Sequence, residues 1–307
     1  MTHAPLVSII LAVYNGVRFL PAQLDSLLSQ TYPNIEIIAI DDCSTDGSYD
    51  LLMSYKERYA NFRVYENETN LGYIKNFEKG SRLAQGDYFA FCDQDDIWLT
   101  EKIAVMMEEM SKGYPMAFCD SEFVDFDGKS LGYRLSDKRN QQNFNTPLNF
   151  AIGNSIAGHA MISKKEVIER SLPFPDTMIH DRWIGFVATF FGPILFVDQP
   201  LVKYRQHDCN VNTGNKDAHK ARKKADKKNR EIVEARKNMQ LFAEKCPEGK
   251  EKEVFEVLNR TYQHPSLVNR FVRMSTFFKY REEVLALKKY SGFRKFLFCI
   301  KTFFKVV

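Results

Sequence analysis

The chain has 307 residues, 44% of them hydrophobic and 27% charged, the composition of a globular protein long enough to bury a full core. Its six cysteines, Cys43, Cys92, Cys119, Cys209, Cys246 and Cys299, form no CxxC pair, so neither a disulfide framework nor a zinc site is expected, and reduced thiols suit a cytoplasmic protein. The net charge of +4 hides a division: residues 1–215 carry 19 Lys and Arg against 28 Asp and Glu, while residues 216–307 carry 24 against 11, so the two parts face different partners.

Leu6–Val13 is an unbroken aliphatic run with no basic residue ahead of it. It gives way at once to Tyr14, Asn15 and Gly16, the pattern of a buried strand and not of a signal peptide. Phe19, Leu20, Leu24, Leu27 and Leu28 then recur at helical spacing and stop before Pro33. Ile35–Ile40 reads as a strand ending in Asp41 and Asp42, and Gly47 opens a helix carrying Leu51, Leu52 and Tyr55. The alternation continues through a strand at 62–65, a helix at 73–83, a strand at 88–92, a helix at 100–110 and a strand at 116–119. Such alternation implies parallel strands joined by right-handed helical crossovers, with helices on both sheet faces. Ligands of open sheets bind at the carboxyl ends of the strands, which gathers Tyr14, Asn15, Asp41, Asp42 and Asp93 to Asp96 on one rim.

From about Asp125 the pattern changes. "DFDGKSLG" suggests a hairpin with Asp-Gly at its tip, Ser136–Thr146 a mobile surface loop, "NSIAGHAMIS" a strand, His180–Phe191 a helix, and "ILFV" and "LVKYRQH" two further strands. The apolar stretch Ile184–Val197 is 14 residues long and broken by Gly192 and Pro193, short of the roughly 20 that cross a bilayer. Residues 217–245 suit an exposed helix of mixed charge, and Ser266 after Pro265 caps a second long helix reaching Lys289. In "GFRKFLFCIKTFFKVV", Phe293, Phe296, Leu297, Ile300, Phe303, Phe304 and Val307 share one helical face, while Arg294, Lys295, Lys301 and Lys305 occupy the other. A basic amphipathic helix of this kind fits the interface of an anionic membrane through residues 290–307, or packing on the protein's own core or on a second copy in a homo-oligomer; no motif supports nucleic-acid binding.

"FAFCDQDDIW" poses the chemical question, because a buried strand runs straight into Asp93, Asp95 and Asp96, three groups that repel one another. A divalent cation with oxygen ligands resolves the conflict. With "VSIILAVYNG", "DDCSTDGS", "NLGYIKNFEKGSRLAQGDYFAFCDQDDIW" and "HDRW" spaced as they are, the sequence resembles the family 2 glycosyltransferases of GT-A fold. "YRQHDCN" is most similar to the bacterial rhamnosyltransferase branch. The resemblance covers about residues 6–212 and implies a mixed, mostly parallel α/β domain over 1–214, followed by a basic helical region over 215–307.

The resemblance also implies site roles. Asp93 and Asp95 match the family's D-x-D motif for Mn²⁺ or Mg²⁺, with His207 as a further metal ligand; Asp96 fills the next position and, with Trp98, is a candidate substrate contact, and the pattern leaves open which of the three carboxylates binds the metal directly. Asp42 matches the residue that binds the nucleobase, Asp41 shares that duty, Tyr14 packs on the base, and Asn15, Asn70, Asn76 and Asp93 fall on the nucleotide side. Capping of the helix after Gly47 is an alternative use of Asp41–Asp46. Asp181, where the family has the second residue of a Glu-Asp pair, is the expected general base, and His180, in place of the glutamate, is a second catalytic candidate that would orient the acceptor, tune Asp181 or take the proton itself. Capping of a helix beginning at Arg182 is the competing use of Asp181. His159 and Arg205 are expected at the donor or acceptor.

The activity implied is inverting transfer of one sugar per encounter, from a dTDP- or UDP-sugar to a glycan or lipid-linked acceptor, with rhamnose from dTDP-rhamnose as the donor the branch suggests. The Q-x-x-R-W pattern of processive synthases, G-x-G-x-x-G and the P-loop are all absent. Two rivals remain: a sugar-1-phosphate nucleotidyltransferase, for which Gly16 and Arg18 make a poor triphosphate loop, and a non-catalytic scaffold binding nucleotide sugar or membrane.

Overall fold

A computed structural model describes residues 4–207 and 222–304, with side chains of the second segment from 231 onward. The last residues of "YRQHDCN" and the start of the helix expected at 217 lie outside the described residues. The chain divides into one unit made of residues 1–143 and 156–207 and another made of 144–155 and 208–307. Residues 144–155, which the sequence leaves in the first domain, thus belong with the second unit.

The first unit is built on β1 (Val7–Val13), β2 (Ile35–Asp41), β3 (Phe62–Glu66), β4 (Tyr88–Asp93), β5 (Ile97–Trp98), β6 (Met116–Val124), β7 (Ser130–Arg134), β8 (Met161–Lys164) and β9 (Leu195–Arg205). Its helices are α1 (Leu20–Leu28), α2 (Ser48–Lys56), α3 (Tyr73–Leu83), α4 (Lys102–Met110), α5 (Leu135–Lys138), α6 (Lys165–Ser171) and α7 (His180–Ala188). The strand order is β3-β2-β1-β4-β8-β6-β9-β5, with β7 on β6. β1 pairs in parallel with both β2 and β4, and β8 runs antiparallel to its two neighbours.

Composition explains the layering. β1 is apolar along nearly its whole length because both of its faces are covered. Ile9, Leu11 and Val13 pack with Leu20, Leu24 and Leu27 of α1 in one cluster, and on the other face a Cβ at Gly80 of α3 would lie 2.3 Å from Ile10. Buried Ser8 survives in this strand because its hydroxyl donates to Glu36 at 2.5 Å and accepts from the Gly86 N–H at 2.8 Å.

Several sequence expectations change here. "ILFV" and "LVKYRQH" form one strand, β9, whose register on β6 slips between Val197 and Pro200. Proline has no N–H for the ladder, so a bulge absorbs Asp198 and Gln199. "NSIAGHAMIS" becomes a 3₁₀ turn at Gly158–Ala160 followed by the short β8. The 136–146 loop contains part of α5 and the fully buried Phe144.

In the second unit, α8 (Arg222–Lys245), α9 (Lys250–Gln263), α10 (Leu267–Lys279), α11 (Arg281–Val284) and α12 (Gly292–Phe304) pack with the 3₁₀ turn at Pro147–Phe150. Sequence reading left α9 unassigned and ran α10 on to Lys289, but α10 stops at Lys279. Ser266 does cap it, accepting from the Asn269 N–H at 3.1 Å. No helix among the described residues is long and apolar enough to cross a membrane.

A Cβ at Gly86 would lie 2.8 Å from the Leu6 carbonyl oxygen and from the Ser8 amide nitrogen, both backbone atoms that cannot swing away. Gly86→Ala should cost about 1–3 kcal/mol of stability, measured by urea denaturation; an unchanged midpoint would mean that the β4 entry tolerates a side chain.

Candidate active site

Strand register assembles the rim. Val13 pairs with Asp41 and Ala12 with Asp93, so Tyr14, the Asp41–Asp42 pair and the acidic turn leave adjacent strands side by side. β1 is also where the strand order reverses, with β2 and β3 to one side and β4 to the other, and this crevice is where open sheets bind ligands.

The loops over the crevice are laced by side chains gripping backbone. The Gln94 amide holds both backbone groups of Tyr14, accepting from its N–H at 2.8 Å and donating to its carbonyl at 3.0 Å. Tyr14 itself stays exposed. Asn15, at φ 48°, accepts from the Thr45 N–H at 2.8 Å. Asp46 accepts from the N–H groups of Val17 and Ser48 at 3.0 Å each. Asp46 is therefore the carboxylate that braces the start of α2, leaving Asp41 and Asp42 to be explained otherwise.

Those two buried carboxylates differ. Both oxygens of Asp42 are occupied: Oδ1 accepts from Asn67 at 2.7 Å and from the Leu71 N–H at 2.8 Å, and Oδ2 from the Gly72 N–H at 2.8 Å. Asp41 Oδ2 accepts from the Ser44 N–H at 2.8 Å, but Oδ1 is buried with no hydrogen-bond partner. A sealed, unpaired carboxylate oxygen is costly, which marks it as an acceptor awaiting a donor. Asn76 uses its whole amide inside the fold, accepting from Asn67 at 2.9 Å and donating to the Ile40 carbonyl at 2.8 Å. Asn70 is exposed and accepts from the Gly72 N–H at 3.1 Å.

In the acidic turn each carboxylate has its own surroundings. Asp95 Oδ2 lies 2.7 Å from His207 Nε2, and the imidazole stacks on Phe19. His159 Nδ1 lies 3.0 Å from Asp96 and 3.5 Å from Asp93, while its Nε2 meets the Ser121 hydroxyl at 2.9 Å. Ligand atoms of Asp93, Asp96 and His159 fall within 4.8 Å of one another. Burial, then the charges of Asp95 and Asp93, push the Asp96 carboxyl well above the usual range. Burial also opposes ionisation of Asp93, but the hydrogen bond and charge of His159 outweigh it and hold that carboxyl below its ordinary value. Asp93 keeps 46% of its side chain exposed, whereas that of Asp96 is sealed. Two carboxylates and an imidazole at such separations offer the donor set of a divalent cation.

Arg205 and Trp98 sit beneath this turn. Arg205 donates to the Asp95 carbonyl at 2.8 Å and to the Phe126 carbonyl, and its own N–H bonds Asp96 at 3.1 Å. Trp98 is 2% exposed. The expectation of substrate contacts gives way to support: both residues are buried, and the guanidinium satisfies carbonyls that would otherwise be orphaned. The Lys102 ammonium lies 3.0 Å over the Trp98 ring and donates to the His159 carbonyl at 2.5 Å; burial lowers its pKa to about 8.

Asp181 and His180 open α7. The helix starts at His180 with Ile179 as its unbonded cap, so Asp181 is not the cap of a helix beginning at Arg182. Burial raises the Asp181 carboxyl to about 7, against the opposing hydrogen bond from the Arg182 N–H. His180 is buried among Phe77 and Phe91, with centroids at 4.3 and 5.2 Å; neither ring nitrogen has a hydrogen-bond partner, and burial lowers its pKa to about 4. It is a neutral ring in an apolar slot.

Sequence reasoning missed Gln94, Asn67 and Lys102. The first two act on groups 80 and 25 residues away, and Lys102 reads locally as a solvated helix residue.

Fold and rim together define a GT-A transferase. The solved structures similar to this chain include S. aureus TarS residues 1–349 in complex with UDP-GlcNAc, with a TM-score of 0.60, 16% identity and coverage of 91% of this chain and 81% of that one. A mannosyltransferase from Pyrobaculum calidifontis in complex with GDP-Man and Mn²⁺ aligns with a TM-score of 0.55 and 16% identity over 99% of this chain and 86% of that one. The profile of "Glycosyl transferase family 2" matches residues 8–169, and the chain belongs to that family. It is a glycosyltransferase. The uncharacterized glycosyltransferase RT0329 of Rickettsia typhi is 29% identical over 220 residues, 68% of this chain and 67% of the relative. TuaG of Bacillus subtilis, provisionally assigned as a teichuronic acid biosynthesis glycosyltransferase, is 35% identical over 128 residues, 41% of this chain and 51% of the relative.

Because Asp42 anchors the 67–72 turn through three donors, Asp42→Asn should leave one amide N–H facing another. A loss of about 1–3 kcal/mol is expected, with faster hydrogen exchange at Leu71 and Gly72; unchanged protection there would contradict the anchoring role.

Proposed function

We propose that the chain is a non-processive, inverting glycosyltransferase that moves one sugar from a nucleoside diphosphate donor to a hydroxyl of a bacterial surface glycan or a lipid-linked acceptor. The observation that carries this reading is the convergence of Asp41, Asp93, Asp95 and His207 at the ends of β2, β4 and β9, around the crevice where the strand order reverses.

The free Oδ1 of Asp41 supports a nucleobase contact there, accepting an imino N–H, with Asp42 and Asn76 holding the loop behind it. Exposed Tyr14 is the ring available to cover the base. Asp95 and His207 would hold a divalent cation, with the solvent-facing Asp93 beside them, and the bound ion would neutralise charge developing on the departing diphosphate. The two solved relatives with UDP-GlcNAc and with GDP-Man and Mn²⁺ support a nucleotide-sugar donor of this kind. The rhamnosyltransferase likeness makes dTDP-rhamnose the first donor to test, and the name of TuaG supports a polysaccharide product.

Asp181 is the base. Its raised pKa lets it remain a carboxylate above neutrality yet hold a proton well enough to accept one from the acceptor hydroxyl. The neutral ring of His180 shapes the wall behind it.

Asp181→Asn should lower turnover by about 10²- to 10⁴-fold while leaving donor affinity intact by calorimetry. Retained turnover would remove Asp181 from the reaction. A base must be deprotonated to act, so wild-type kcat/KM should rise with pH and level off above an inflection near 7, the pKa of Asp181. A profile flat from pH 5 to 8 would contradict that assignment.

A further inference from the structure

The second unit presents a surface that sugar transfer does not use. On α10, Leu267, Val268 and Phe271 are 72%, 72% and 61% exposed, and on α12, Phe293, Phe296, Leu297 and Phe304 are exposed as well. The sequence pattern placed such a face on α12 alone; the structure doubles it. Phe278 of α10 and Phe296 of α12 touch at 5.3 Å between ring centroids, so the two apolar stripes meet. The helices are joined from the opposite side. Phe277 packs near Phe298, and buried Arg273 donates to the Thr302 carbonyl at 3.1 and 3.2 Å and to the Thr261 carbonyl at 3.2 Å. Phe296 thus adds one edge contact to the helix pair, while Leu267, Val268, Phe271, Phe293 and Phe304 remain exposed beside it.

Charge selects the occupant. Neither α10 nor α12 contains a carboxylate, although residues 216–307 carry 11 Asp and Glu; all of these lie on other segments. Lys279, Arg294 and Lys301 are exposed together with the apolar side chains, so two of the α12 cations expected on the opposite face share the exposed side of that helix. A second copy of the same face would set these cations against one another, while a bilayer with anionic headgroups accepts both the rings and the charges. No described helix can span a bilayer, so contact would be in the interfacial plane.

We propose that the paired face of α10 and α12 docks onto the surface of an anionic membrane, inserting Leu267, Val268, Phe271, Phe293, Phe296 and Phe304 at the headgroup boundary. This site is independent of the assignment of donor, base or metal, and its test reads binding and not turnover.

The full chain would be sedimented with vesicles of phosphatidylglycerol mixed with phosphatidylcholine, and with phosphatidylcholine alone. Binding to the anionic vesicles is expected, weakened by salt and at least about tenfold lower for Phe271→Glu/Phe296→Glu, since the loss of two buried rings alone exceeds that. Unchanged thermal melting would show that the exposed substitutions leave the fold intact. Equal binding to both vesicle types, no binding to either, or unimpaired binding of the double variant would each overturn the proposal. So would a wild-type dimer, seen by light scattering, that the double variant abolishes.

Discussion

Mutual repulsion of three carboxylates at the end of β4 is the constraint around which the site is organised. The fold meets it by giving each group different surroundings. Asp96 is sealed against Arg205 and His159 and pushed toward its protonated form, Asp93 is held ionised by His159 while facing solvent, and Asp95 is paired with His207. Lys102 adds a buried positive charge behind them. One carboxylate is thus largely neutralised from within, and the two others remain available at the crevice. These unequal surroundings, unlike those of a solvated surface cluster, support the proposed cation site.

The same division between support and contact runs through the neighbouring loops. Asp42, Asn67 and Asn76 form a closed set of hydrogen bonds that fixes the 67–72 turn, while neighbouring Asp41 keeps one buried oxygen unpaired. Gln94 ties the acidic turn to the end of β1, so the two loops beside the crevice are fastened to each other. His180 and Asp181, consecutive in sequence, show the effect of environment on chemistry: burial lowers one pKa and raises the other, leaving a neutral ring and a carboxyl that titrates near neutrality.

Much of this was legible in the sequence. Fully buried parallel strands announce themselves as aliphatic runs, and strand ends locate the rim, so β1 to β4 and the residues Tyr14, Asp41, Asp93 and Asp95 could be read directly. What could not be read were contacts made at a distance. Arg205 and Trp98 look like substrate-facing residues in a chain listing, yet one reaches inward to carbonyls and the other is packed in the core. Gln94 and Lys102 carry no local signal because the backbone groups they bind, at Tyr14 and His159, are remote in sequence. In the second unit, a missing breaker after Lys279 hid the end of α10, and amphipathicity alone revealed α12 without the helix that shares its exposed face.

The most direct measurement of the central claim is Mn²⁺ binding in the presence of nucleoside diphosphate, followed by electron paramagnetic resonance on the wild type, Asp95→Asn and His207→Ala. Tight Mn²⁺ binding by the wild type that either substitution weakens at least about tenfold, as expected when a ligand to the ion is removed, is the predicted result. Equal Mn²⁺ affinity in all three proteins, or none in the wild type, would contradict a cation held at the acidic turn.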